Sequence, residues 1–378
     1  MRLFMLVFIG GGGFLFPFVS LFYHYNGLSG TQIGLLGALG AGAGLLVAPY
    51  WGAQSDRTSR PVRIMQAGLL ATAVVVLILG RQSAFLPIAI FATLYSMTSA
   101  GLLPLADLLA AHVAAQANNA GYGSVRLWGS LGWTLVTAAA GRLIELFGLY
   151  LAFAGMAAGY VLSALTLQWM PRAAIQKPAA ARPAARPGLR EALPAIARSR
   201  RLAGLSLSLG LYWLLTNNNL FQFEPIYMSQ LGAGEALVGL ANALNAAVEL
   251  PAMLWADRLL RRFTAGWLLR FHFVLSIARA VAMLLLPTIP TVLACRAVLG
   301  VQYSLYSVAI IAYVNDHAPV GYRATTLALL TVTLRSLMLM LGNPLSGFVF
   351  DASGAYWLYA LNLGGSILGW AALQYSRG

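Results

Sequence analysis

The chain has 378 residues, 60% of them hydrophobic and only 9% charged, where a soluble domain carries about 25% charged residues; water is therefore excluded as its only solvent. One cysteine, Cys295, excludes a disulfide framework and a multi-cysteine metal site, and the four histidines (His24, His112, His272, His317) lack ligand spacing. No metal and no cofactor is expected. The charge of +14 sits in short clusters between apolar runs, which suits anionic lipid headgroups and excludes nucleic acid, whose binders gather basic residues on one folded face.

A hydrocarbon core about 30 Å thick is crossed by about 20 helical residues. Twelve apolar runs meet that length, at 2–24, 31–53, 62–80, 85–111, 124–142, 148–169, 201–228, 236–256, 265–286, 290–314, 324–347 and 355–375. The fold class predicted is an all-α membrane protein of twelve transmembrane helices in two pseudo-symmetric halves of six. With both termini in the cytoplasm, Arg81 and Arg142 are the only basic residues in outside loops, while Arg279, Arg296 and Arg335 fall within spans; this bias sets the orientation. The first run is too long for a signal peptide and has no small-residue cleavage site before Asn26.

In chain order, span 1 carries Gly10-Gly11-Gly12-Gly13 and then Pro17, a helix suited equally to bending and to close packing. Span 2 reads Ile33-Gly-Leu-Leu-Gly-Ala-Leu-Gly-Ala and is followed by Ser55-Asp56-Arg57. Span 4 ends near Asp107 and span 5 opens on Arg126. These two form a candidate pair, an inner gate or an anchor between helices. The basic, Pro/Ala-rich stretch 171–200 can bury nothing and reads as a cytoplasmic linker between halves 1–170 and 201–378.

The second half begins with span 7, where Tyr212, Thr216 and Asn219 recur at helical spacing and Glu224-Pro225 follows, either an outer gate or a wetted helix end. Span 8 repeats span 2 as Val238-Gly-Leu-Ala-Asn242-Ala-Leu-Asn245-Ala, again followed by an acid–base pair, Asp257-Arg258. Asn242, Asn245 and Glu249 share one helical face. Arg279 in span 9 is the natural counter-charge for Glu249. A carboxylate with an arginine in reach can take up and release a proton, so Glu249 and Arg279 are the candidates for proton coupling, against the alternatives of a permanent ion pair and of direct substrate contact by Glu249. In span 10, Gln302 and Tyr306 share a face suited to hydrogen bonding or stacking with a solute, and Arg296 is expected to snorkel to the outer surface. Mid-span 11, Arg335 either attracts an anionic substrate or pairs across the bundle with Glu249 or Asp316.

Gly52-Ala-Gln-Ser-Asp56-Arg57-Thr-Ser-Arg60-Pro resembles the loop pattern of the major facilitator superfamily, G-x-x-x-D-R-x-G-R-R, with Ser59 and Pro61 as departures. The second copy keeps Asp257-Arg258 and the basic pair Arg261-Arg262. Gly123-Ser-Val-Arg126-Leu-Trp128-Gly129-Ser130, Glu249-Leu-Pro251 and Tyr313-Val-Asn315-Asp316-His317-Ala-Pro319 look like the branch of phenylpropionate-type permeases, with lactose-permease-like and nucleoside–proton symporters as relatives. The resemblance implies a monomeric secondary transporter in a bacterial inner membrane, importing a small aromatic carboxylate, nucleoside or sugar-like compound with protons by alternating access. It places Gly52, Asp56, Arg57, Asp257 and Arg258 in gating, where a carboxylate can pair with an arginine or a helix N-terminus of the other half. Relatives also place an acid–arginine substrate clamp near Asp107 and Arg126, and proton coupling on helices equivalent to those of Glu249 and Arg279. The rivals are a proton-coupled exporter of drugs or metabolites, and a non-transporting sensor or assembly helper of the same fold. No nucleotide-binding motif or nucleophile–base arrangement points to an ATP-driven pump or an enzyme.

Overall fold

The computed structural model describes residues 1–58, 60–116, 122–169, 194, 196–217, 222–319 and 321–375, and every element among them is helical. The first are α1 (Arg2–Leu15), α2 (Val19–Tyr25), α3 (Gly30–Thr58), α4 (Pro61–Leu79), α5 (Phe85–Ser99), α6 (Leu102–Gln116), α7 (Tyr122–Phe147) and α8 (Tyr150–Thr166). After the linker region, most of which lies outside the described residues, come α9 (Arg200–Tyr212), α10 (Glu224–Gln230), α11 (Glu235–Leu260), α12 (Ala265–Leu285), α13 (Ile289–His317), α14 (Arg323–Ala328), α15 (Arg335–Ser353) and α16 (Trp357–Tyr375). Wider π-helical turns continue α9 over Trp213–Asn217 and join α14 to α15 over Leu329–Leu334.

Helix starts follow local chemistry. Pro61, Pro225 and Pro290 stand in the first turns of α4, α10 and α13, where a missing N–H leaves no ladder bond unmade. Ser199 and Thr264 cap α9 and α12 by accepting from Leu202 N and Trp267 N. Among the described residues nine helical stretches are long and apolar enough to cross a membrane: Arg2–Tyr25, Gly30–Ser55, Pro61–Leu79, Phe85–Ala114, Tyr150–Trp169, Glu235–Leu260, Ala265–Leu285, Ile289–His317 and Arg323–Ser353. The other three predicted spans coincide with α7, with the segment from α9 to α10, and with α16.

The chain forms two compact units. One comprises Met1–Leu28, Leu39–Ala181 and Gly232–Ala247; the other comprises Ser29–Ala38, Arg182–Leu231 and Val248–Gly378. The first ten residues of that second set belong to the start of α3, and α11 is likewise divided between the units. In the first unit α1 packs on α7 and α8, and α4 on α5 and α8. The glycine run of α1 is wholly buried and serves close packing. A Cβ on Gly11 would meet Gly159 Cα at 3.2 Å, and one on Gly10 would meet the Gly132 carbonyl at 3.1 Å. The bend of span 1 falls later, at Phe16–Phe18 around Pro17. In the second unit α12 packs on α13 and α16, and α9 on α16, around a core that includes Leu205, Leu209, Leu268, Phe273, Leu305 and Ile310.

Candidate functional site

The second unit holds a polar network inside this apolar core. Glu224 opens α10, where the helix N-terminus favours a negative charge, and Arg296 lies about two turns into α13. Their side chains form an ion pair, each only 1% exposed. The Tyr359 hydroxyl on α16 donates to the other Glu224 oxygen at 2.9 Å. Arg296 therefore does not snorkel outward, and Glu224 is not a wetted helix end. The charges meet because each is cheaper paired than alone in a low dielectric. The signal available in the sequence was two opposite charges in apolar spans 7 and 10 of the same half.

A second chain of bonds runs beside the first. Arg279 Nη1 donates to Gln302 Oε1 at 2.7 Å, and Gln302 Nε2 donates to the Tyr212 oxygen at 2.9 Å. His272 Nδ1 lies 3.1 Å from the Gln302 carbonyl, and Ser276 shares a 2.8 Å bond with Ser366. Thr216, Ser276, Arg279, Cys295, Tyr359 and Asn362 surround a small cavity between these helices. Gln302 is fully buried with both ends of its amide bonded, so it braces α12, α13 and the end of α9 together. Tyr306, expected on the same face, is half-buried and packs its ring near His272 and Trp213, with centroids 5.4 and 6.4 Å away.

On α11, Asn242 is buried and donates to the Val238 carbonyl at 3.0 Å. The Asn245 amide oxygen is buried without a hydrogen-bond partner among the described residues. Glu249 is half-buried, and its carbonyl accepts from Ser304 Oγ at 3.0 Å. Arg335 stands immediately after the π-helical turn Leu329–Leu334 and is exposed, in mid-course of the apolar stretch Arg323–Ser353. Asn219 lies outside the described residues.

In the first unit Asp107 and Arg126 are brought together, Nε to Oδ1 at 3.5 Å, each side chain about one-third exposed. Gly52 and Arg57 are exposed near the end of α3, with open space where a Gly52 side chain would be. Arg258 is exposed near the end of α11. The side chains of Asp56 and Asp257 lie outside the described residues. No cluster of three or more metal-ligating side chains occurs among the described residues.

The profile of the MFS_1 like family matches residues 1–361. The chain belongs to this family of major facilitator transporters. It is 28% identical over 358 residues to the maltose permease of Geobacillus stearothermophilus, covering 93% of this chain and 85% of that one. It is also 28% identical over 276 residues to the probable 3-phenylpropionic acid transporter of Escherichia coli, covering 71% and 69%. The fold resembles that of the nucleoside transporter NupG, with a TM-score of 0.80, 15% identity and coverage of 100% and 98%. A bacterial homologue of the iron transporter ferroportin gives a TM-score of 0.74 at 17% identity, covering 100% and 98%. The protein is thus a multi-pass membrane transporter of small solutes and not an enzyme.

Proposed function

We propose that this transporter imports a small organic solute with protons by alternating access, across a bacterial inner membrane. In this reading the chain has twelve spans in two halves, 1–170 and 201–378, joined by a cytoplasmic linker, with both termini inside, and works as a monomer among anionic lipids. The observation that carries the proposal is Arg335. A charge in the middle of an apolar crossing segment belongs in a water-filled cavity, where it marks a substrate or ion path, and π-helical turns such as the one before it are frequent at functional sites. A guanidinium there selects for a carboxylate or another anionic group. Among the solute classes, this favours an aromatic carboxylate, the class of solute for which the Escherichia coli relative is named; a sugar-like solute, as for the maltose permease, is the next class, and nucleosides follow.

Asn242, Asn245, Gln302 and Tyr306, with Asn219, are assigned to solute recognition or its support, and the partnerless Asn245 oxygen is an acceptor ready for a solute or water donor. Glu249 is assigned proton uptake, with Arg279 acting on it through the buried network. Asp107 with Arg126, and the Gly52-to-Arg57 and Asp257-Arg258 loops, are assigned to gating. The test records external pH of lightly buffered cells as aromatic carboxylates, nucleosides or small sugars are added. Alkalinisation with aromatic carboxylates, lost in Glu249→Gln and in Arg335→Gln, is expected. A response to sugars alone that survives Arg335→Gln refutes the anionic class, and silence from all three pools with the protein verified in the membrane refutes import.

A further inference from the structure

Two carboxylates occupy matching places late in α7 and α15. The sequences are Gly141-Arg-Leu-Ile-Glu145-Leu-Phe-Gly148 and Gly347-Phe-Val-Phe-Asp351-Ala-Ser-Gly354, both of the form Gly-x-x-x-acid-x-x-Gly. Both closing glycines are left-handed, with φ of +91° and +87°. Each stretch faces the start of a long helix through backbone-close contact. A Cβ on Gly347 would collide with the Gly30 carbonyl, and one on Gly34 with the Asn343 carbonyl. In the other unit a Cβ on Gly141 would collide with the Glu235 carbonyl, and one on Gly239 with the Thr137 carbonyl.

Asp351 then acts on the start of α3. The first four N–H groups of a helix have no partner within it. In α3 all four are accounted for. Gly30 N donates to Asp351 Oδ1 at 2.6 Å and Thr31 N to Asp351 Oδ2 at 2.8 Å. Gln32 N donates to Ser29 Oγ at 3.2 Å, and Ile33 N to the Ser29 carbonyl at 2.9 Å. Thr31 Oγ1 adds a third bond to Asp351, at 2.7 Å. The local Ser29–Gln32 capping box therefore covers only part of the helix start, and a carboxylate some 320 residues away in sequence completes it. The Glu145 carboxylate lies close to Gly234, just before α11, but it is engaged by Arg142 at 2.8 Å.

We propose that Asp351 is a releasable latch. Closed, it caps α3 and holds the start of that helix to the end of α15, on the side our topology assigns to the exterior; it opens when the transporter exposes its solute path to that side. Residues 29–38 of α3 count with the Asp351 unit, while the rest of the helix counts with the other. A contact at that point resists movement of α3 away from α15. Glu145 is the weaker copy, because Arg142 holds its carboxylate. The inference rests on the transporter reading.

The test is a spin-label distance measurement on purified protein, with Cys295→Ala removing the native thiol. Labels are placed at Tyr25, the last residue of α2, and at Ala352, beside the latch; both positions are exposed. No solute is needed. Asp351→Asn is expected to raise the ratio of longer to shorter distances about tenfold, the effect of losing one charge-assisted hydrogen bond. Thr31→Ala is expected to act in the same direction to a smaller extent, and decides the matter alone should Asp351→Asn fail to fold. Glu145→Gln is expected to change the distribution less than Asp351→Asn. Distances unchanged or shortened in Asp351→Asn overturn the latch. Lost transport with unmoved distances also overturns it while leaving the transporter assignment standing.

Discussion

Replacing Arg296 by methionine removes one side of an ion pair whose members are each 1% exposed. The Glu224 carboxylate is left inside the helix bundle with the Tyr359 hydroxyl as its remaining donor among the described residues. Breaking a buried pair from one side destabilises by about 3–5 kcal/mol, because the orphaned charge loses its compensation and cannot return to water. Removing both charges, as Glu224→Gln with Arg296→Met, takes away the penalty along with the attraction, and such exchanges are close to neutral. The double variant should therefore be more stable than Arg296→Met alone, by on the order of 3 kcal/mol. Thermal unfolding in detergent, followed by tryptophan fluorescence, reads this directly: at about 2 °C per kcal/mol for a chain of this size, Arg296→Met should melt on the order of 6–10 °C below the parent. The reasoning is refuted if Arg296→Met stays within about 1 kcal/mol of the parent, or if the double variant is as damaged as the two single changes added together.

Two further outcomes test the packing around the same elements. Gln302→Leu leaves Arg279 and Tyr212 each short of a bond and should destabilise by about 1–3 kcal/mol, whereas Gln302→Glu keeps an acceptor for the guanidinium and should lose less; the same melting assay ranks them. Gly159→Leu forces a side chain into the Gly11 backbone, whose Cα lies 2.7 Å from the added Cβ, and should lower the yield of monodisperse protein on gel filtration, an overpacking cost of about 1–3 kcal/mol or more.

Nine of the twelve predicted spans are long, apolar helical stretches among the described residues, and they were legible because each is an apolar run bounded by glycine, proline or charge, local rules that set where helices start and stop. The pairing of Asp107 with Arg126 was legible for a similar reason, as two opposite charges flank one short connection. Glu224 and Arg296 were harder to read. A hydropathy window locates a charge along its helix but is silent on the direction it faces, so an arginine about two turns inside α13 looked able to reach the surface. Asp351 was missed altogether. Its role depends on the start of α3 lacking two donors' partners, and that need is visible only when the helix ends are brought together in space. Gln302 was recognised as polar and inward, but a sequence cannot say that both ends of its amide are already bonded.

The buried glycines of α1 have a consequence for synthesis. The surfaces that receive them, at Gly132 on α7 and Gly159 on α8, are made only after roughly 120 further residues have been added, on the order of 10 s of translation at ordinary elongation rates. During that interval α1 meets lipid along a stripe with no side chains, the α7 and α8 surfaces that will cover it not yet existing. Its residence in the membrane must therefore be secured by Phe4, Phe8, Leu15 and the residues around them, and the packing around α1 is completed only when α8 arrives.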